Sequence, residues 1–260
     1  MSKPIKQIEQ IEQIEQIKKA NEKLNKLDFS HIFLGEEGGV VLSDLIKTNT
    51  TLTSLNLNFT NLHEPGGIAV AGSLVINTTL MELGLRANGL KDGFGIAIAD
   101  ALEMNTTLTT LDLCLNNIGE VGSIPIARML NKNTTLTLLN LGCNILGEVG
   151  GVAIAGAIKT NTALLILNIG DNYIEEKSGS AFAVALESNT TLTTLNLLYN
   201  NIREGFGKVF LDLLQKNTSL TSLFIDRDTE NYDKIQAILA ERKPPTESPM
   251  VKAAIPLTPR

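Results

Sequence analysis

Residues 49–76 read NTTLTSLNLNFTNLHEPGGIAVAGSLVI, and the fold follows from that stretch. In Ser54-Leu55-Asn56-Leu57-Asn58 exposed and apolar residues alternate, the two-residue period of a strand with one buried face. Gly66 and Gly67 then open a run of small and apolar residues that predicts a helix, and glycine lets the chain turn tightly into it. Asn77 follows, and the pattern begins again.

The asparagine recurs at Asn49, Asn77, Asn105, Asn133, Asn161, Asn189 and Asn217, always 28 residues apart. One step back lands on Asn21, in a degenerate copy. Eight units therefore fill residues 21–244. Counted from the asparagine, positions 4 and 7 are Leu in all eight units, from Leu24 and Leu27 to Leu220 and Leu223. Position 9 is Leu, Ile or Phe throughout, and position 12 is Asn in five units (Asn88, Asn116, Asn144, Asn172, Asn200). An amide at position 12 can bond backbone groups of its own and neighbouring turns, which stacking would otherwise bury unpaired. The asparagine at position 1 follows the helix and suits a left-handed cap.

The pattern L-x-x-L-x-L-x-x-N-x-I resembles the leucine-rich repeat, and its length and helical second half resemble the ribonuclease-inhibitor-like class. The resemblance implies an α/β solenoid, a horseshoe with a parallel concave sheet and convex helices. Stacked units bury one another's faces, so the ends need caps. Residues 1–20 are Ile-rich, with Ile5, Ile8, Ile11, Ile14 and Ile17 three apart. In the repeat frame Ile11, Ile14 and Ile17 fall at helix positions 19, 22 and 25, which predicts a capping helix; a disordered leader is the alternative. The last unit decays into Asp226, Arg227, Asp228 and Glu230. Residues 242–260 carry five of the eight prolines, and 245–260 is expected to be a disordered tail.

Composition agrees with this architecture. Forty Leu, 21 Gly and no Trp describe many similar small core sites. With 43% hydrophobic and 19% charged residues, wholesale disorder is excluded. A net charge of −6 argues against nucleic acid and anionic membranes. The apolar run Val149–Ile158 is too short to cross a bilayer, and Glu and Gln stand where a signal peptide needs apolar residues. The expected setting is the cytoplasm, or a host cytosol for a delivered effector.

Catalytic chemistry is not visible. Six of the seven Asn-x-Ser/Thr sequons are position 1 of the repeat; the seventh is Asn58. Gly93-Phe94-Gly95 looks like half a dinucleotide fingerprint, but Gly38-Gly39, Gly66-Gly67 and Gly205-Phe206-Gly207 share its phase and mark a turn. His31 and His63 lack partners at ligand or triad spacing. Cys114 and Cys143 lie in adjacent units, near each other and free, too few ligands for zinc. No enzyme activity, cofactor or metal is expected.

What varies inside the constant frame is the inner surface. Position 8 runs Asp28, Asn56, Gly84, Asp112, Asn140, Asn168, Asn196, Phe224, a mostly polar stripe read as structural. Positions 10, 11 and 13 carry Phe59, Arg86, Leu115, Asp171, Tyr173, Leu198, Tyr199 and Arg227, the candidate partner-binding residues. Five of the eleven aromatics (Phe33, Phe59, Tyr173, Tyr199, Phe224) fall at concave positions, and exposed Tyr, Phe and Arg dominate protein interfaces. Eight strands about 4.8 Å apart give an arc of roughly 34 Å, enough for a standard interface. The expected function is non-enzymatic binding of a protein partner on the concave face by a monomer. Proteins resembling this act as inhibitors, scaffolds, regulators or delivered bacterial effectors. The alternative is a GTPase-activating protein resembling the Ran-activating family.

Overall fold

The computed structural model describes Glu12, Ile14, residues 24–202 and residues 205–242. Over the described residues each unit of the frame becomes one short strand and one helix. In chain order these are β1 (Lys26–Asp28), α1 (Gly35–Thr48), β2 (Ser54–Asn56), α2 (His63–Ser73), β3 (Glu82–Gly84), α3 (Lys91–Met104), β4 (Thr110–Asp112) and α4 (Glu120–Leu130). They continue as β5 (Leu138–Asn140), α5 (Gly147–Ile158), β6 (Ile166–Asn168), α6 (Glu176–Ser188), β7 (Thr194–Asn196), α7 (Phe206–Leu214), β8 (Ser222–Phe224) and α8 (Tyr232–Ala240). The eight strands form one open parallel sheet in sequence order. Every paired residue lies 28 positions from its partner, as in Leu55↔Leu83↔Leu111↔Leu139. The fold is an α/β solenoid of the leucine-rich-repeat kind.

The core follows from the frame. Leucines at positions 4, 7 and 9, such as Leu80, Leu83 and Leu85, are wholly buried from the sheet side. From the helix side come position 22 residues, Leu42, Val70, Ile98, Ile126, Ile154, Phe182 and Phe210. Each such side chain contributes about 2 kcal/mol of apolar burial. Ile14, also at position 22 when the frame is extended backwards, is helical and fully buried in the same cluster. The rest of the expected leader helix and the Pro-rich tail lie outside the described residues.

Two local expectations change. The asparagine at position 1 is not a left-handed cap: Asn49, Asn105 and Asn189 have φ of −79°, −76° and −77° with extended ψ. Its side chain does the work instead. Asn105 Oδ1 accepts from the N–H groups of Thr107 and Leu108 at 3.0 and 2.8 Å. Its Nδ2 donates to the carbonyls of Leu74 and Asn77, one coil back, at 2.8 and 3.1 Å. The same bonds recur at Asn77, Asn133, Asn161, Asn189 and Asn217. The sequon phase is thus a ladder of buried amides.

The paired glycines also have a different cause. Gly205 does make the expected left-handed turn into its helix (φ 74°), but the others lie inside the helices, and they are small because neighbouring coils touch there. A Cβ on Gly39 would sit 2.5 Å from Gly66 Cα, and one on Gly95 would sit 2.8 Å from Gly122 Cα. In two other coils the left-handed glycine falls two or more residues earlier, at Gly35 (φ 67°) and Gly147 (φ 64°).

Candidate protein-binding surface

The asparagines at position 12 form a second ladder on the turn that leaves the sheet. Asn116 Oδ1 accepts from Asn88 N–H at 2.9 Å, while its Nδ2 donates to the carbonyls of Leu85, Leu113 and Cys114 at 2.9, 3.0 and 3.2 Å. Asn88, Asn144, Asn172 and Asn200 bridge neighbouring coils in the same way. Position 8 holds the turn from inside. Asp28, Asn56, Asp112, Asn140, Asn168 and Asn196 each accept, through Oδ1, the N–H two residues on. Where position 8 is Gly84 that acceptor is missing, and Asn58 Oδ1 from the preceding coil takes Arg86 N–H at 2.8 Å. The polar stripe therefore does structural work.

These turns force position 11 into the left-handed region. His31, Phe59, Ala87, Leu115, Cys143, Asp171 and Tyr199 all have φ between 54° and 63°. Non-glycine residues reach that region at a cost of about 1 kcal/mol or more. The strands end at position 8 for this reason, two residues short of the alternating pattern. The candidate residues consequently sit on a rim at the carboxyl ends of the strands.

Along that rim the candidates fall into two groups. Phe59 N–H donates to the Arg86 carbonyl at 2.8 Å, and the Phe59 ring stacks on His31 at 4.7 Å between centroids, 10° from parallel. Arg86 is half-buried and directs its charge at Asp112 and Cys114. Four coils on, Asp171 N–H donates to the Leu198 carbonyl at 2.8 Å, and the Asp226 carboxylate accepts Tyr199 N–H at 3.0 Å. Tyr173 (61% exposed) and Tyr199 (42%) stand free of the core here, with Leu198 half-buried and Arg227 exposed beside them. Leu115, half-buried, lies between the groups.

Burial pushes the carboxyls of Asp112 and Asp226 above the ordinary aspartate range, against opposing hydrogen bonds from Cys114 N–H and Tyr199 N–H. Cys114 is fully buried and Cys143 half-buried, and neither is in a disulfide. A hydrogen bond with Cys143, together with burial, holds the Cys114 thiol far above its usual range, so it is a poor nucleophile.

The frame misses one feature. A hollow of about 390 Å³ lies over coils 1–5 of the concave face, lined by Lys26, Asp28, Asn56, Asn58, Gly84, Asp112, Asn140 and their neighbours. None of the candidate residues lines it. Its one legible signal is Gly84, which interrupts the stripe of position 8 side chains.

With eight coils, two amide ladders and one parallel sheet in place, comparison with known proteins adds a family match over part of the chain. The leucine-rich-repeat family matches residues 48–71, 105–127, 132–155 and 188–203. Leucine-rich repeats occur in four places along this chain. Leucine-rich-repeat domains generally mediate protein–protein interaction and are typically non-enzymatic binding modules. Among curated proteins nothing matches the chain. Among solved structures, the one entitled Leiomodin-1 Actin-Binding Site 2 (ABS2) is similar over 50% of this chain and 78% of that one. The two are 27% identical, with a TM-score of 0.47. Among the described residues, no helix of the leucine-rich-repeat array is long and apolar enough to cross a membrane.

Proposed function

We propose that this chain is a ribonuclease-inhibitor-like leucine-rich-repeat module whose concave side and its rim bind a protein partner without catalysing a reaction. The observation that carries the reading is the patch of Asp171, Tyr173, Leu198, Tyr199 and Arg227 over coils 6–8. There two tyrosines stand exposed on left-handed backbone, in a protein whose other rings mostly pack inward. Exposed Tyr and Arg on a fixed frame supply contact area at low entropic cost, the composition of interface hot spots. Phe59 and Arg86 form a second, smaller contact region, with Leu115 between the two.

The 28-residue unit, with a helix in each second half, supports the subtype. The double substitution Tyr173→Ala and Tyr199→Ala tests the surface. Neither ring belongs to the core, so the fold stays intact while capture of the partner is lost. Full capture by the double variant would place the interface elsewhere.

A further inference from the structure

The chain has two cysteines, and stacking brings them together. Cys114 is position 10 of its coil, and Cys143 is position 11 of the next. Pairing between these coils continues past the strand ends. Leu113 N–H donates to the Asn140 carbonyl at 2.8 Å, and Leu115 N–H donates to the Gly142 carbonyl at 3.0 Å. The peptide joining Cys114 to Leu115 therefore lies against the one joining Gly142 to Cys143. Neighbouring strands lie about 4.8 Å apart and rise about 3.3 Å per residue, which sets the two Cα atoms roughly 6 Å apart on the diagonal. Disulfides span about 4.4–6.8 Å between Cα atoms. In a continuing strand the side chains at positions 10 and 11 would point to opposite faces. The left-handed φ of 54° at Cys143 breaks that alternation, and the two thiols are hydrogen-bonded to each other.

The two sulfurs are unequal. Cys114 is fully buried, whereas Cys143 is half-buried and meets solvent. The bond between them is the leading reason that Cys114 keeps its proton, so Cys114 is the donor and Cys143 the acceptor. A reagent in solution thus meets Cys143 first. Once Cys143 is capped by another sulfur it carries no charge, and the largest restraint on ionising Cys114 is gone. The Arg86 guanidinium, from position 10 of the coil before, then favours the Cys114 thiolate against burial.

We propose that Cys114 and Cys143 form a dithiol site that reduces a small-molecule disulfide and closes, reversibly, to a disulfide between coils 4 and 5. The Cys143 thiolate attacks one sulfur of the disulfide RSSR; its S–S bond breaks, RS⁻ leaves, and the mixed disulfide Cys143–S–S–R forms. Cys114 then loses its proton and attacks Cys143 Sγ, which releases the second RS⁻. The two RS⁻ take up the protons that the two cysteines gave to solvent. Two electrons pass from the protein to RSSR, and two RSH leave. The new bond ties the turn of Leu115 to the next, midway between the two groups of rim residues. The site is independent of which surface holds a partner.

Glutathione disulfide is the probe, mixed with the full native chain at about pH 8, where thiolate is available. After an acid quench, intact mass and peptide mapping are expected to show the loss of two hydrogen atoms and a Cys114–Cys143 link. Cys114→Ala is expected to stop at the mixed disulfide, with one glutathionyl group on Cys143. Cys143→Ser is expected to stay unreacted, because its remaining thiol is buried. A further measurement needs no variant. In glutathione buffers of fixed ratio, the disulfide is expected to resist reduction about 10-fold or more better in the native chain than in urea, since the fold holds the sulfurs together. Absence of reaction, a lasting mixed disulfide on Cys143 of the unsubstituted chain, or modification of Cys114 in folded Cys143→Ser overturns the proposal. Equal resistance to reduction in native buffer and in urea overturns it as well.

Discussion

A single buried amide decides more of this fold than any one leucine. Asn116 satisfies one backbone donor and three backbone acceptors across two coils, all shielded from water. Asn116→Ala leaves the Asn88 N–H without its acceptor and removes one of two donors from each carbonyl, which keep Asn88 Nδ2, Asn144 Nδ2 and Ala87 N–H; it is expected to cost about 2 kcal/mol, read as a lowered urea midpoint. Asn117, next in the chain but exposed, is the control: Asn117→Ala is expected to cost under ~1 kcal/mol, chiefly through its left-handed φ of 58°. This contrast marks what was legible. Position 12 could be read as an amide ladder because asparagine recurs where a turn must lie. Position 1 could not be read correctly, since an asparagine after a helix suits a left-handed cap as well as a side-chain ladder. Only the extended backbone of Asn105 separates the two.

At the scale of the element, neighbouring helices set the rules. Gly95 touches Gly122 backbone, whereas nothing lies within 4 Å of a Cβ placed on Gly72 in α2. Gly95→Ala is therefore expected to destabilise by about 1–3 kcal/mol through forced separation of α3 and α4. Gly72→Ala is expected to stabilise by roughly 0.5–1 kcal/mol through helix propensity. Thermal unfolding of both variants checks the opposite signs.

The helices are also capped across coils. The Glu148 carboxylate accepts from the N–H groups of Glu175, Lys177 and Ser178 at 3.0, 2.8 and 3.2 Å, and from Ser178 Oγ at 2.7 Å. Burial opposes its charged form, but these bonds win and hold its pKa below the ordinary value. A lowered carboxyl pKa stabilises the fold fully above the unfolded value, about 4.3, and that stability is lost as pH falls through the folded value. Glu148→Gln is expected to lower the urea midpoint at pH 7 and to shrink the drop between pH 7 and pH 3. An unchanged drop would show that Glu148 is not the acid-sensitive cap. Sequence spacing placed each helix, yet gave no hint that its cap comes from the coil before, because that pairing is a property of stacking.

For the whole molecule, the repeat fixed the solenoid and left its surfaces unequal in legibility. The rim residues stood out because they vary inside a constant frame. The hollow did not, because a glycine in a structural stripe looks like drift until the neighbouring side chains are placed around it. The far end closes with polar residues: Asp226 takes the Tyr199 amide, Gln236 reaches the Leu223 carbonyl, and Arg242 donates to the carbonyls of Leu214 and Leu220. The convex face is not inert. Position 20 shows Val40, Ile68, Ile96, Ile124 and Val152 over five coils, each about 40–50% exposed, an apolar row that competes with the concave side for the interface. Backbone hydrogen exchange of the full chain, with and without its captured partner, decides between these faces. The account predicts slowed exchange on the strand-to-helix turns carrying Leu115, Asp171, Tyr173 and Tyr199, with α1 to α5 unchanged. Protection confined to those helices, with the turns exchanging as in the free protein, would contradict it.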